Sequence, residues 1–379
     1  MSNRLKKILT PAAWVAYLII GIEIIYMISP FALYYYSTYG PSLNFLHNWP
    51  ATAWLSGFFL PHYAETSSFL LNSLHSLGWI LVLLGLALFL IGAGQIYYSK
   101  FAKKGAVTSG IYKFIRHPQY TAFAIMGFGL LLVWPRFTVL IIYVSMLFVY
   151  HWLAKKEERE CEQKFGDSYR AYQSQTGMFL PAKVTKLVKL PALPASGLTR
   201  KLALTFIYFA TLGISLMSTF GLRDYSITKL SVAYSNDTAT IATASTDHDK
   251  LEKILLIALA DARVQQRLNE SNNRAAAGAF LNYVVPEEWY LPDLPLDEAS
   301  QKVGGHHQPQ NFDRNLYKVL FTKARLKTDD VVTGPNIITN TIGRTPLVVA
   351  HVNLQKSEVI EISTPPAHVR WGDIPTPLF

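Results

Sequence analysis

Apolar residues crowd the first 220 positions of this 379-residue chain and thin out abruptly after them. Crossing a bilayer core takes about 20 residues of helix. The runs that approach or exceed this are Ala12–Tyr36, Ser68–Tyr98, Tyr120–Trp134, Phe137–Leu153 and Leu202–Phe220. The third and fourth lie near the lower length limit and are joined only by Pro135-Arg136, which predicts a tight helical hairpin. The fifth carries Thr205, Tyr208, Thr211, Ser215, Ser218 and Thr219 and is the most polar. Pro41–Pro61, broken by Pro50 and bearing Trp49 and Trp54, reads as a segment in the outer interface, where Trp collects; a re-entrant piece is the alternative. Beyond Gly221 the periods change. Asp249–Leu268 repeats near 3.6, as one amphipathic helix does, whereas Tyr317–Leu326 and Leu347–Ile362 alternate as strands do, the latter turning near Gln355–Ser357. The expected architecture is an α-helical integral membrane bundle of about five transmembrane helices followed by a small α+β domain. Its boundaries are a membrane part over 1–200, a fifth span over 201–220 and a soluble part over 221–379.

Charge orients this layout. Of nineteen Lys and Arg in the first 220 residues, eighteen fall on one side of the expected spans. The loop from Ser37 to Ser67 has none, and Arg136 is the exception. Basic residues stay cytosolic, so the N-terminus and the loops around Arg116 and Glu157 face the cytosol in a multi-pass protein, of the kind found in a bacterial inner membrane. If Leu202–Phe220 spans, the part beyond 221 is extracytosolic; if it lies in the interface, that part is cytosolic. Ala12–Ile28 resembles a signal peptide in its basic start, but it is long and Pro30-Phe31 is no small-residue cleavage site, so a retained first span is expected. The positive excess is concentrated beside the spans and suits anionic headgroups; it calls for no nucleic acid. The single Cys161 excludes a disulfide within the chain.

Polar groups at the mouth of a membrane bundle are costly and read as functional. The chain places Arg116-His117-Pro118-Gln119-Tyr120 just before the hairpin and Glu157-Glu158 just after it, so both reach one membrane face. Pro118 suits a first helical turn. The preceding amides and Arg116 then offer an anion site, with Tyr112 and Tyr120 as aromatic wall and hydroxyls. Glu157 and Glu158 suit an ammonium group and ribose hydroxyls. Gly92-Ala93-Gly94-Gln95, at the cytosolic end of the second span, allows close approach by a helix or a planar ligand. Glu23, mid-span, reads as a substrate contact or a paired polar group. His306-His307 lack a second ligand pair, and no metal site is expected.

The combination of Arg116-His117-Pro118-Gln119-Tyr120, Glu157-Glu158, then Phe165-Gly166-Asp167-Ser168-Tyr169-Arg170-Ala171-Tyr172 with Pro181 closing resembles the isoprenylcysteine carboxyl methyltransferase and phospholipid methyltransferase superfamily. It covers about residues 70 to 181. The resemblance implies a membrane enzyme using S-adenosyl-L-methionine, with a lipid or small lipophilic acceptor entering from the bilayer. By position, Gly92, Gly94, Tyr112, Arg116, His117, Pro118, Tyr120, Glu157 and Glu158 would form the cofactor site, and Phe165–Tyr172 an amphipathic lid. His117 and Tyr120 are the catalytic candidates. Members that methylate a prenylcysteine carboxylate carry arginines shortly before the glutamate pair; His151-Trp152-Leu153-Ala154-Lys155-Lys156 has none, which speaks against carboxyl methylation. Two other readings stand beside this one: an enone or sterol-type reductase using NADPH, and a non-catalytic sensor or scaffold.

Overall fold

The computed structural model describes residues 40–42, 44–102, 107–187, 197–272, 279–289, 291, 294, 312–328 and 330–365. The expected first span Ala12–Tyr36, Glu23 and His306-His307 lie outside the described residues. The chain divides into two compact units. One is Phe58–Leu230; the other joins the described residues up to Gly57 with those from Ser231 onward. The expected division had grouped everything before residue 200 together.

The first unit is helical. It consists of α1 (Phe69–Phe101), α2 (Pro118–Val133), α3 (Phe137–Phe165), α4 (Asp167–Gln175), α5 (Ala182–Leu187) and α6 (Gly197–Ile227). Three of these, α1, α3 and α6, are long and apolar enough to cross a membrane, and α2 is a shorter apolar helix of 16 residues. The chain is therefore a membrane protein with three candidate spans among the described residues. The expected fourth span ended at Leu153, yet its helix runs on unbroken to Phe165 and carries both glutamates on its extension.

Helices α1 and α2 touch backbone to backbone. A Cβ added to Gly78 would stand 2.8 Å from the Gly129 carbonyl oxygen, one added to Gly129 would stand 2.6 Å from the Gly78 oxygen, and one on Gly85 would meet the Ala122 oxygen at 2.7 Å. In lipid, where apolar surface gains little by leaving the solvent, such close approach supplies the dispersion contacts that hold helices together. α6 leans on α3 through Tyr208, whose hydroxyl lies 2.8 Å from Ser145 Oγ and whose ring meets Phe148 edge-on at 5.2 Å. Part of the polarity of the fifth span is thus satisfied within the bundle.

The two ends of this unit differ. Near the start of α1, Ser67 donates to Lys229 O at 2.8 Å and Thr66 bridges Leu230. Arg136, 2 % exposed, sits 4.4 Å over the Phe58 ring there. Toward the other end of α1, Gly92 faces Pro118. Gly92 lies 23 residues beyond Phe69, or about 35 Å along a helix. The chain leaves the unit at Leu230, on the end remote from Pro118.

The second unit is built on a six-stranded sheet in the order β1 (Ser231–Tyr234), β2 (Thr238–Ala242), β3 (Phe280–Pro286), β4 (Leu316–Leu326), β5 (Thr341–Asn353) and β6 (Glu358–Ser363). All neighbours are antiparallel except β2 and β3. That parallel pair requires a crossover, supplied by α7 (His248–Ala260) and α8 (Ala262–Asn272). Leu251, Ile254, Ala258 and Val264 bury against Val319, Phe321, Ala350 and Val352. The single helix expected over Asp249–Leu268 is two. Asp261 is extended, and its carboxylate caps the second helix by accepting from the amides of Arg263 at 2.8 Å and Val264 at 3.4 Å. The strands expected at Tyr317–Leu326 and after Leu347 are present, with the turn at Gln355–Ser357 between β5 and β6 and Ser357 at φ 55°. A short helix, α9 (Asn336–Asn340), precedes β5. In the same unit Arg325 donates to His47 O at 3.1 Å and Asn48 Oδ1 at 3.4 Å, so this part of the expected interfacial segment docks on the β4–β5 pair.

Gly129→Val is expected to destabilise the detergent-solubilised protein by about 2 kcal/mol or more, since backbone rather than a flexible side chain blocks the added atoms. Gly213→Ala on α6, where a Cβ meets nothing within 4 Å, is expected to leave the melting temperature unchanged or slightly higher. Thermal unfolding followed by circular dichroism separates the two; equal melting temperatures would exclude the glycine contact as a determinant of stability.

Candidate functional site

The hairpin returns the chain as its length demands, and α3 outlasts its apolar half by three turns. The last turns of α3 therefore stand beside the start of α2. His117 is the N-cap and Pro118 the first residue of α2. The Arg116 guanidinium, 11 % exposed, donates through Nε to Glu158 Oε1 at 2.7 Å, and the Glu158 side chain is 5 % exposed. His117 lies between both carboxylates, Nδ1 3.5 Å from Glu157 Oε2 and Nε2 3.5 Å from Glu158 Oε1. The second contact is electrostatic, because buried Nε2 makes no hydrogen bond of good geometry. Tyr120 donates its hydroxyl to Glu157 Oε1 at 2.6 Å and stacks on Tyr150 at 5.1 Å. Lys155 approaches the free oxygen of Glu158 at 3.5 Å.

A strap after α4 closes the arrangement. The amides of Arg116 and His117 donate to Gly177 O at 2.9 Å and Met178 O at 3.0 Å, while Arg116 Nη1 donates to Gln173 O at 3.0 Å and to Thr176 O. Thr121 Oγ1 donates to Phe179 O at 3.0 Å. The turn after the strap has no room for a side chain at Gly177, where a Cβ would fall 1.7 Å from Leu180 O. Gly166, at φ 59°, makes the sharp bend between α3 and α4 that an L side chain resists. Tyr169 is then buried, and Tyr172 donates to Tyr112 O at 2.6 Å.

Seven of the residues singled out in the sequence thus gather at one end of the bundle: Arg116, His117, Pro118, Tyr120, Glu157, Glu158 and Tyr112. Tyr112 is 5 % exposed and its hydroxyl lies 3.4 Å from Gly92 O. Gly92 is buried, and a Cβ there would meet Gln119 at 3.5 Å and Pro118 at 3.7 Å. Gly94 is exposed and faces open space, nearly opposite Gly92 on α1. One expectation changes. The amides before Pro118 and the Arg116 guanidinium had been assigned to an anionic group; the strap and Glu158 already engage them. The sequence reading also missed Tyr150, Thr176 and the 177–179 strap. Tyr150 and Thr176 carry no local signal, and only the proline at 181 hints at the turn.

The electrostatics follow from this packing. Burial acts to raise the Glu158 carboxyl, but the close His117 imidazole and the hydrogen-bonded Arg116 guanidinium outweigh it and hold the group at about 2. Burial acts to lower His117, and the two carboxylates outweigh it, raising the imidazole above its ordinary value. Burial also pushes the phenols of Tyr112 and Tyr169 upward, and Tyr172 to about 12, so these hydroxyls remain donors. Glu157 is the accessible acid, with 45 % of its side chain exposed. No group of three or more His, Cys, Asp or Glu among the described residues is placed to hold a metal ion.

Residues 73–168 match the family model described as phospholipid methyltransferase. The match takes in α1, α2 and α3 with Gly92, Arg116, His117, Tyr120 and both glutamates, and it stops short of the strap. The resemblance read from these motifs is thereby supported over this segment. No curated protein and no solved structure matches the chain.

The shifts set a pH window. Glu158 lies below its ordinary value of 4.5, so its contribution to stability is complete above that value and lost as pH falls toward about 2. His117 lies above its ordinary 6.5, so its contribution is complete below 6.5 and lost as pH rises through the raised value. The melting temperature is therefore expected to be highest between 4.5 and 6.5 with respect to these two groups. His117→Gln should flatten the alkaline flank and leave the acid flank in place. A wild-type alkaline flank that persists in this variant would show that another group is responsible.

Proposed function

We propose that this chain, a membrane protein whose residues 73–168 match the phospholipid methyltransferases, transfers a methyl group from S-adenosyl-L-methionine to a lipid or small lipophilic acceptor at the cytosolic leaflet. The observation that carries the proposal is the division of labour between the glutamates. Glu158 is spent on Arg116, whereas Glu157 is open and aligned by Tyr120. The available surface is therefore acidic and aromatic. Such a surface suits an α-ammonium group, ribose hydroxyls and a sulfonium, all of which favour carboxylate or ring partners. It does not suit the pyrophosphate and 2′-phosphate of a nicotinamide dinucleotide, because Arg116 is already neutralised by Glu158.

The residues present fit this cofactor. Glu157 would take the ammonium or ribose, Gly92 and Tyr112 would flank the rings, and Tyr120 and His117 would bound the transfer region. When bound, the cofactor supplies a methyl already activated on a sulfonium. What remains for the protein is alignment and exclusion of water, and orientation alone is worth about 7–11 kcal/mol in well-positioned systems. Arg116, Glu158 and the 177–179 strap serve as positioning elements. The α4 segment, held by Tyr172, serves as cover. An amine acceptor must lose a proton before attack; His117 is held toward its charged form by two carboxylates, and open Glu157 is the better placed of these groups to receive it.

The cytosolic placement rests on the basic residues around Arg116 and Glu157. With α6 read as a span, its end at Leu230, remote from Pro118, supports an extracytosolic location for the sheet that follows.

Isothermal titration of the detergent-solubilised protein with S-adenosylhomocysteine should show saturable binding that Glu157→Ala abolishes and NADPH does not compete. Binding of NADPH without response to the sulfur compound would transfer the assignment to a reductase. Separately, Gln355→Cys in a Cys161→Ser background should react with a membrane-impermeant maleimide on intact cells; labelling only after lysis would place the sheet domain in the cytosol.

A further inference from the structure

The sheet unit contains a second cluster of reactive groups that the methyl-transfer reading does not use. His351, on β5, places Nδ1 2.7 Å from Glu287 Oε1 and Nε2 3.2 Å from Ser363 Oγ. The three residues come from β5, from the turn after β3 and from the last position of β6, and lie 64 and 12 residues apart in sequence. A carboxylate on one ring nitrogen and a hydroxyl on the other is the arrangement in which an imidazole is held as a base toward a serine. Lys318, paired with His351 across β4 and β5, keeps its ammonium 3.9 Å from the same Glu287 oxygen. That cation supports the ionised carboxylate.

Access favours chemistry over mere structure at this point. The side chains of His351 and Glu287 retain 15 % and 23 % exposure, and Ser363 is half-buried. A hydrogen-bond network serving only to satisfy a core lies fully enclosed, as Thr322 does where its hydroxyl donates to Leu281 O. β6 has a strand partner on one side only among the described residues.

We propose that Ser363, His351 and Glu287 form a nucleophilic site that cleaves carboxylic esters. Ser363 Oγ attacks the ester carbonyl carbon as its proton passes to His351 Nε2. The carbon–oxygen bond to the alcohol breaks, and the alcohol departs with that proton. Water then adds to the acyl-serine, giving its proton to His351; the carbon–Oγ bond breaks, the proton returns to Ser363, and the carboxylic acid leaves. Glu287 holds the ring nitrogen that faces it and stabilises the imidazolium between the steps.

The test uses the full-length protein in detergent and a fluorophosphonate probe, with the modified peptide identified by mass spectrometry. Ser363 should be labelled, Ser363→Ala should lose the label, and His351→Gln should slow it by at least about tenfold. Addition of S-adenosylhomocysteine should not alter the rate, which keeps this site distinct from the membrane one. Since His351→Gln removes two hydrogen bonds and risks misfolding, Ser363→Cys provides a second measurement. Its alkylation by iodoacetamide should be faster than in the Ser363→Cys/His351→Gln double variant at matched melting temperature. No probe on Ser363, or equal alkylation rates with and without His351, would reduce the cluster to a structural hydrogen-bond network.

Discussion

The membrane unit turns on one side chain. Arg116 is held on Glu158 from across 42 residues of sequence and also donates to the carbonyls of Gln173, in the last turn of α4, and of Thr176, just before the strap. It thereby fastens three separate pieces: the start of α2, the extension of α3 and the segment after α4. A buried ion pair of this kind adds little net stability compared with well-packed apolar residues, yet losing one partner strands the other charge. What it supplies is geometry. With Glu158 fixed and neutralised, its neighbour Glu157 remains the open acid, and the site acquires a definite sign and direction.

That geometry depends in turn on how closely the helices approach. α1 and α2 meet through Gly78, Gly85 and Gly129, where carbonyl oxygens occupy the space that side chains would take. The contact fixes the height of Gly92 beside Pro118 and Tyr112. A larger separation would open the site to lipid. The same unit anchors its other end through Thr66, Ser67, Lys229 and Leu230, so α6 connects the two ends and leads out of the unit away from Glu157.

The motifs were legible because spans and hairpins obey lengths. Pro135-Arg136 between two apolar runs forces a return, and a return brings Tyr120 to Glu157. The alternation in β4 and β5 was legible for the same kind of reason, since a strand with one buried face must repeat every second residue. The break at Asp261 was not, because the apolar period continues through it and only the capping geometry interrupts the helix. The strap was not legible either. Gly177, Met178 and Phe179 act through their carbonyls, and a carbonyl is the same in every residue.

From the sequence alone came the membrane class, the side of the bundle on which the basic loops lie, and the pairing of a His-Pro turn with a glutamate doublet. Each is written in composition or in spacing along the chain. Tertiary structure alone decided which glutamate is consumed and which is open, that Arg116 clamps rather than waits for an anion, and that Glu287, His351 and Ser363 meet. Those outcomes depend on distances of a few ångströms between segments that are remote along the chain. No local pattern encodes such distances, since they are set by how the helices and strands pack.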